Sequence, residues 1–229
     1  MGDWTDIKCG YGAFRAYVAR PSGAAKGAVV VIQEIFGVNA VMRHKADWLA
    51  GQGFWALAPD LFWRIQPGID ITDKTEAEWA QAMDYMKRFD PDKGVEDIQA
   101  TIKAARGFGA AKVGAVGYCL GGLLAFLSAT RTDTDASVGY YGVNIPNFLG
   151  EAAKIKKPLM LHIAGKDGFV PKTAQDRMKQ GLESNPLVTL HDYPQRDHAF
   201  TREGGKNYDA GDAAIADART IAFFKESLA

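Results

Sequence analysis

The chain has 229 residues, and its 27 basic side chains are balanced by 27 acidic ones. No run of Lys or Arg supplies the electrostatic footprint that a phosphate backbone requires, which argues against nucleic acid as a partner. Apolar residues at 47% and charged residues at 24% lie near globular averages and exclude a disordered or membrane-spanning class.

The length suits one domain over residues 1–229, with a core large enough to need no disulfide. Asp3, Asp6, Lys8 and Arg15 interrupt the N-terminal stretch, so it lacks the apolar segment of a signal peptide and a cytoplasmic location is expected. Cys9 and Cys119 are expected as free thiols. With four dispersed histidines they form no zinc-ligand spacing, so neither a metal nor a cofactor is anticipated.

In chain order, Ala13–Pro21 reads as an edge strand or hairpin, ended by Pro21-Ser22-Gly23. Apolar, β-branched runs then predict strands at Ala28–Ile32, Trp55–Ala58, Lys112–Val116, Ser137–Tyr141, Leu159–Ala164 and Val188–Tyr193. Amphipathic stretches between them predict helices at Val41–Gly51, Glu76–Phe89, Gly94–Arg106, Gly121–Ala129, Ala174–Glu183 and Ala213–Ser227. The alternation gives an α/β class, with a mostly parallel sheet and helices on both faces. Residues 67–74 read as a plain loop, and no repeat or low-complexity linker interrupts the chain.

The chemistry is concentrated where the strand ending at Val116 meets a helix through Gly117-Tyr118-Cys119-Leu120-Gly121. This is the pattern of a nucleophile elbow, the sharp strand-to-helix turn of the α/β-hydrolase fold, with Cys in place of Ser. Such a turn strains its central residue and brings its flanks against neighbouring backbone, which explains Gly117 and Gly121. It also presents the sulfur at a helix N-terminus, whose partial positive charge favours thiolate. A merely packed cysteine needs no glycine on either side.

In that fold the acid and then the histidine follow the nucleophile in sequence. Asp167 follows the predicted strand Leu159–Ala164, and His198 lies just past Val188–Tyr193. His162 and His191 fall inside strands and His44 on a helix, while Asp192 and Asp197 are too near His198 to suit the topology. The oxyanion hole is expected from the N–H groups of Leu120 and Ile35, the latter in Gln33-Glu34-Ile35-Phe36-Gly37. Glu34 ends a buried apolar run and therefore wants a partner.

At these residues the chain resembles the dienelactone hydrolases, or carboxymethylenebutenolidases, whose pattern includes Gln-Glu-Ile-Phe-Gly-Val-Asn and Gly-Tyr-Cys-Leu-Gly-Gly. Both occur here, at Gln33–Asn39 and Gly117–Gly122, and weaker matches keep the likeness in register over nearly the whole chain. The resemblance implies a Cys119-His198-Asp167 triad, with Glu34 holding the thiol unreactive until substrate displaces it. It also implies that Arg202 binds a substrate carboxylate and that Phe36 lies in the pocket. The family's second carboxylate-binding arginine falls at Trp79, and a frequent tyrosine at Met83. On the helix that opens with the capping box Thr75-x-x-Glu78, Trp79, Met83 and Met86 share one face, predicted to lie over the pocket.

The expectation is a monomer hydrolysing a small-molecule ester or lactone through an acyl-thioenzyme, with a pocket altered against anionic substrates. Two alternatives stay open: a promiscuous carboxylesterase or thioesterase, and a non-catalytic ligand-binding or thiol-redox protein on the same scaffold.

Overall fold

A computed structural model describes residues 2–228. Its eight strands are β1 (Asp3–Cys9), β2 (Gly12–Ala19), β3 (Ala28–Ile32), β4 (Trp55–Pro59), β5 (Val113–Tyr118), β6 (Ala136–Tyr140), β7 (Leu159–Ala164) and β8 (Val188–Tyr193). They form one sheet in the order β1-β2-β4-β3-β5-β6-β7-β8. The hairpin β1–β2 runs antiparallel and joins β4 antiparallel, whereas every pairing from β4 to β8 is parallel.

Six α-helices follow the strands: α1 (Ala40–Gly51), α2 (Glu76–Arg88), α3 (Pro91–Gly107), α4 (Leu120–Arg131), α5 (Lys172–Leu182) and α6 (Ala210–Leu228). The central strands β3, β5, β6 and β7 are buried on both faces. In β3, Ala28, Val30 and Ile32 join the cluster formed with α2 to α5, while Val29 and Val31 join the one formed with α1 and α6. A strand serving two cores has to be apolar at every position, which is why β3 reads as a run and not as an alternation.

The expected elements all form, β3, β7 and β8 with the bounds read from the sequence and the others with shifted ends. β5 extends to Tyr118 because Gly117 and Tyr118 still pair with Gly139 and Tyr140 of β6. α3 begins three residues before the predicted Gly94, where Asp90 caps it by accepting from Asp92 and Lys93 N–H and Pro91 takes the first turn. Two elements were not anticipated. β1 buries only Ile7, so it carries no apolar signal, and the 3-10 helix Ile145–Lys154 is too irregular to show a 3.6-residue period. Among the described residues no helix is long and apolar enough to cross a membrane.

The order of the strands determines where a ligand can bind. From β3 the chain crosses to β4 on one side, and β5 then lies on the other, so the crossovers diverge at the carboxyl ends of β3 and β5 and leave a crevice there. Both the Glu34 loop and Cys119 lie at those ends.

Candidate active site

Cys119 sits between β5 and α4 with φ 57° and ψ −113°, a conformation that side chains avoid. The turn is held from several directions. Its N–H donates to the Tyr140 carbonyl at 3.1 Å, and its own carbonyl accepts from Gly122 N–H at 3.0 Å and Val143 N–H at 3.3 Å. A Cβ at Gly117 would lie 1.9 Å from the Gly121 carbonyl oxygen, and one at Gly121 only 2.5 Å from that of Ile32. Both glycines are therefore demanded by backbone contact, as the sequence reading required. Cys9 and Cys119 are both free thiols.

The loops after β7 and β8 bring Asp167 and His198 to the same edge. His198 Nδ1 and Asp167 Oδ2 are 2.9 Å apart, with the two side chains 5% and 2% exposed. Asp167 Oδ1 accepts from the N–H groups of Phe169 at 2.8 Å and Val170 at 3.1 Å, so the whole carboxylate is fixed. His198 Nε2 is buried with no well-directed hydrogen bond. Burial alone would lower the pKa of His198, but the charge of the adjacent Cys119 sulfur and the Asp167 hydrogen bond raise it to about 10. The rival groups are employed elsewhere. Asp197 accepts from the N–H groups of Gly168 and His198, Asp192 pairs with Lys179, and His162 bonds to Tyr193 and Thr220.

Among the described residues the N–H groups of Leu120 and Ile35 donate to no backbone or side-chain acceptor. Leu120 owes this to its place at the start of α4, where the first amides of a helix lack partners. Gln33 fixes the Ile35 loop by accepting from Leu61 N–H at 3.0 Å through Oε1.

Glu34 and Arg202 meet here, in an arrangement the sequence reading did not describe. Arg202 donates through Nε to Glu34 Oε2 at 2.7 Å and through a terminal nitrogen to Oε1 at 3.0 Å. Its other terminal nitrogen donates to Asp73, and its guanidinium lies 4.9 Å from the centre of the Phe36 ring. Burial opposes its charge, but Glu34 and the neighbouring anionic groups hold it protonated more firmly than an ordinary arginine. Glu34 thus makes its hydrogen bonds to Arg202 and none to Cys119, and Arg202 answers two carboxylates at once.

Asp73 comes from residues 67–74, which do more than connect elements. Asp70 bridges to Gly37, whose φ of 76° brings the two loops so close that a Cβ there would lie 2.0 Å from the Ile69 carbonyl oxygen. No motif marked Asp73; the positive-φ glycine beside Phe36 was the only available hint.

A cavity of about 120 Å³ opens beside Cys119, lined on its apolar side by Ile35, Phe36, Trp79, Met83 and Met86. The face of α2 named in the sequence does turn toward the reactive groups. Half of the expected capping box forms: Glu78 N–H donates to Thr75 Oγ1 at 3.2 Å, while the Glu78 carboxylate accepts from Thr72 N–H at 3.0 Å and from the Thr75 hydroxyl at 2.9 Å in place of Thr75 N–H. Phe169, Val143 and Asn144 complete the wall and were not foreseen. Phe169 places its ring 4.8 Å from that of His198 and 6.1 Å from that of Trp79.

Comparison with known proteins agrees with this architecture. The chain matches the dienelactone hydrolase family over residues 14–228. It is 41% identical to a carboxymethylenebutenolidase of Pseudomonas putida over 212 residues, covering 92% of this chain and 90% of the other. A protein of Azospirillum brasilense provisionally named a carboxymethylenebutenolidase is 48% identical over 219 residues, covering 95% of each chain. A crystal structure from Klebsiella pneumoniae, provisionally named a dienelactone hydrolase, superposes with a TM-score of 0.86 at 25% identity over 98% of each chain. With its α/β-hydrolase fold, its strand-to-helix elbow and these relatives, the chain belongs to the dienelactone hydrolase family and is a hydrolase.

Proposed function

We propose that this chain, as a single domain, cleaves small carboxylic esters or lactones, with Cys119 as nucleophile, His198 as proton carrier and Asp167 as its orienting partner. The observation that carries this reading is the position of His198. Its Nδ1 is fixed by Asp167, while its Nε2, with no well-directed hydrogen bond, is left to the adjacent Cys119 sulfur at the cavity that both line.

In the reaction so read, the Cys119 thiol proton passes to His198 Nε2, the sulfur attacks the carbonyl carbon, and the carbonyl oxygen gains charge facing the N–H groups of Leu120 and Ile35. Collapse of the adduct breaks the acyl–oxygen bond, and the proton on His198 Nε2 passes to the departing oxygen. A water then gives its proton back to His198 and attacks the thioester carbonyl, releasing the carboxylic acid and the thiol. Arg202 and the ring of Phe36 border the acyl site. Because Glu34 and Asp73 both occupy Arg202, and Trp79 and Met83 line the other wall, the site is read as favouring neutral acyl groups. That arrangement also supports the reading of a carboxylesterase with broad acyl tolerance. A reactive thiol further suits a reducing compartment, which favours the cytoplasm, with the chain acting as a monomer.

The test is Cys119→Ala assayed on aryl esters and lactones, with mass spectrometry of the wild-type enzyme quenched during turnover. Loss of hydrolysis with retained folding, together with an acyl adduct on the Cys119 peptide, is the expected result. Turnover surviving in the variant would sink the assignment.

A further inference from the structure

The space around His198 does not end at the cavity beside Cys119. An open trough of about 420 Å³ borders the same imidazole and shares Trp79, Phe169 and Arg202 with that cavity. The two differ in lining. The cavity reaches Cys119 and Ile35 and is walled by Met83 and Met86, whereas the trough touches none of these four and is bordered by Asp73, Asp197, Lys206 and Asn207.

Position decides which part of an ester each space receives. The acyl carbon must rest on the Cys119 sulfur with its oxygen toward Ile35 and Leu120, so the acyl group lies in the apolar cavity. When the acyl–oxygen bond breaks, the electron pair leaves on the alcohol oxygen and the His198 proton must reach it there. The alcohol oxygen therefore lies at Nε2 beside the sulfur, and the rest of the alcohol extends from there past the imidazole into the trough, which His198, Phe169 and Trp79 also border.

The charges in the trough are unevenly committed. Arg202 is held by Glu34 and Asp73, and Asp197 accepts from two backbone N–H groups. Lys206, exposed at the border, forms no ion pair among the described residues. Its loop is nonetheless pinned. Asn207 Nδ2 donates to the His198 carbonyl at 2.9 Å, and Asp209 N–H donates to that of Phe200 at 2.9 Å. An ammonium without a carboxylate thus stands on a fixed loop beside the leaving-group space.

We infer that the substrate is an open-chain ester joining an apolar acyl group to an alcohol that carries an anionic group, and that Lys206 receives that anion. The inference rests on Cys119 being the nucleophile. A small lactone, with acyl and alcohol parts in one ring, occupies the cavity alone and gains nothing from Lys206.

The test compares kcat/KM for phenyl butyrate and 3-carboxyphenyl butyrate, which share an acyl group, in the wild type, Lys206→Glu, Lys206→Gln and Lys103→Glu. Lys103→Glu makes the same charge change on the exposed side of α3, outside both spaces. The anionic-to-neutral ratio should fall roughly three- to tenfold in Lys206→Glu, less in Lys206→Gln, and less than twofold in Lys103→Glu, with the effect shrinking in high salt. Cys119→Ala should cleave neither ester. If it is inactive but the ratio is unmoved by both Lys206 variants, or if the wild type opens lactones and ignores both esters, the Lys206 inference falls alone. Turnover by Cys119→Ala would overturn the nucleophile and this inference with it.

Discussion

His198 and His162 are buried to a similar degree, 4% and 1% exposed, and each is hydrogen-bonded through Nδ1, yet their pKa values move in opposite directions. His198 faces a carboxylate and a sulfur and is raised to about 10. His162 lies among Tyr140, Tyr193 and Thr220 on the α6 side of the sheet, where burial first, then the neighbouring His191 and Arg219, push it well below its ordinary value. Burial is common to both, so the charge of the partners decides whether a histidine can carry a proton or only pack. Under the proposed mechanism the first ring transfers protons, while the second packs among hydroxyls.

The sharpest way to break this contrast is to replace each ring. His198→Gln should lower kcat by about 10⁴-fold or more while the fold persists. His162→Leu should leave kcat within about tenfold but cost roughly 2–4 kcal/mol in urea unfolding, because the hydroxyls of Tyr193 and Thr220 lose a buried partner. Comparable kinetic losses in the two variants would dissolve the distinction.

Next in size is Asp167→Asn, which keeps the shape and removes the charge. It should reduce kcat by about 10³–10⁴-fold and move the His198 titration, followed by NMR, downward from about 10. An unchanged titration would show that Asp167 does not set the proton affinity of His198.

Stability should show the contrast with opposite signs. The folded pKa of His198 exceeds its unfolded value of about 6.5, so its contribution is complete below that pH and lost as pH rises toward about 10. His162 is depressed, so its neutral form is stable above about 6.5 and unfolding is favoured as pH falls below it. Melting curves across pH should lose their alkaline slope in His198→Gln and their acid slope in His162→Leu.

The smallest effect concerns the pocket wall. Trp79→Arg should raise kcat/KM for esters with a carboxylate in the acyl group roughly tenfold relative to neutral ones, the value of one charge-assisted contact. No relative gain would mean that the face of α2 does not meet the acyl group.

Legibility followed how locally each feature is encoded. β3 and β7 were readable to the residue because strands buried on both faces are continuous apolar runs with abrupt ends, and the edge strand β8, though only Tyr193 is buried, was bounded by the turn residues on either side. The elbow was readable because backbone contact at Gly117 and Gly121 forbids any side chain, leaving its trace in the sequence itself. β1 was not, since a strand that buries one residue looks like a polar tail. Within the site, the pairing of Glu34 with Arg202 joins positions far apart in the chain, and Asp73 lies in a segment with no periodicity. Long-range charge partners leave no local pattern, so residues could be nominated from sequence while their mutual commitments could not.

The bridge between Gly37 and Asp70 gives residues 67–74 a second significance. By laying this surface segment across the loop of Ile35, it delivers the Asp73 carboxylate to Arg202 without touching the elbow or the histidine. The charge that Arg202 presents to the cavity is thus set in part from residues 67–74, a stretch remote in sequence from both the elbow and the histidine.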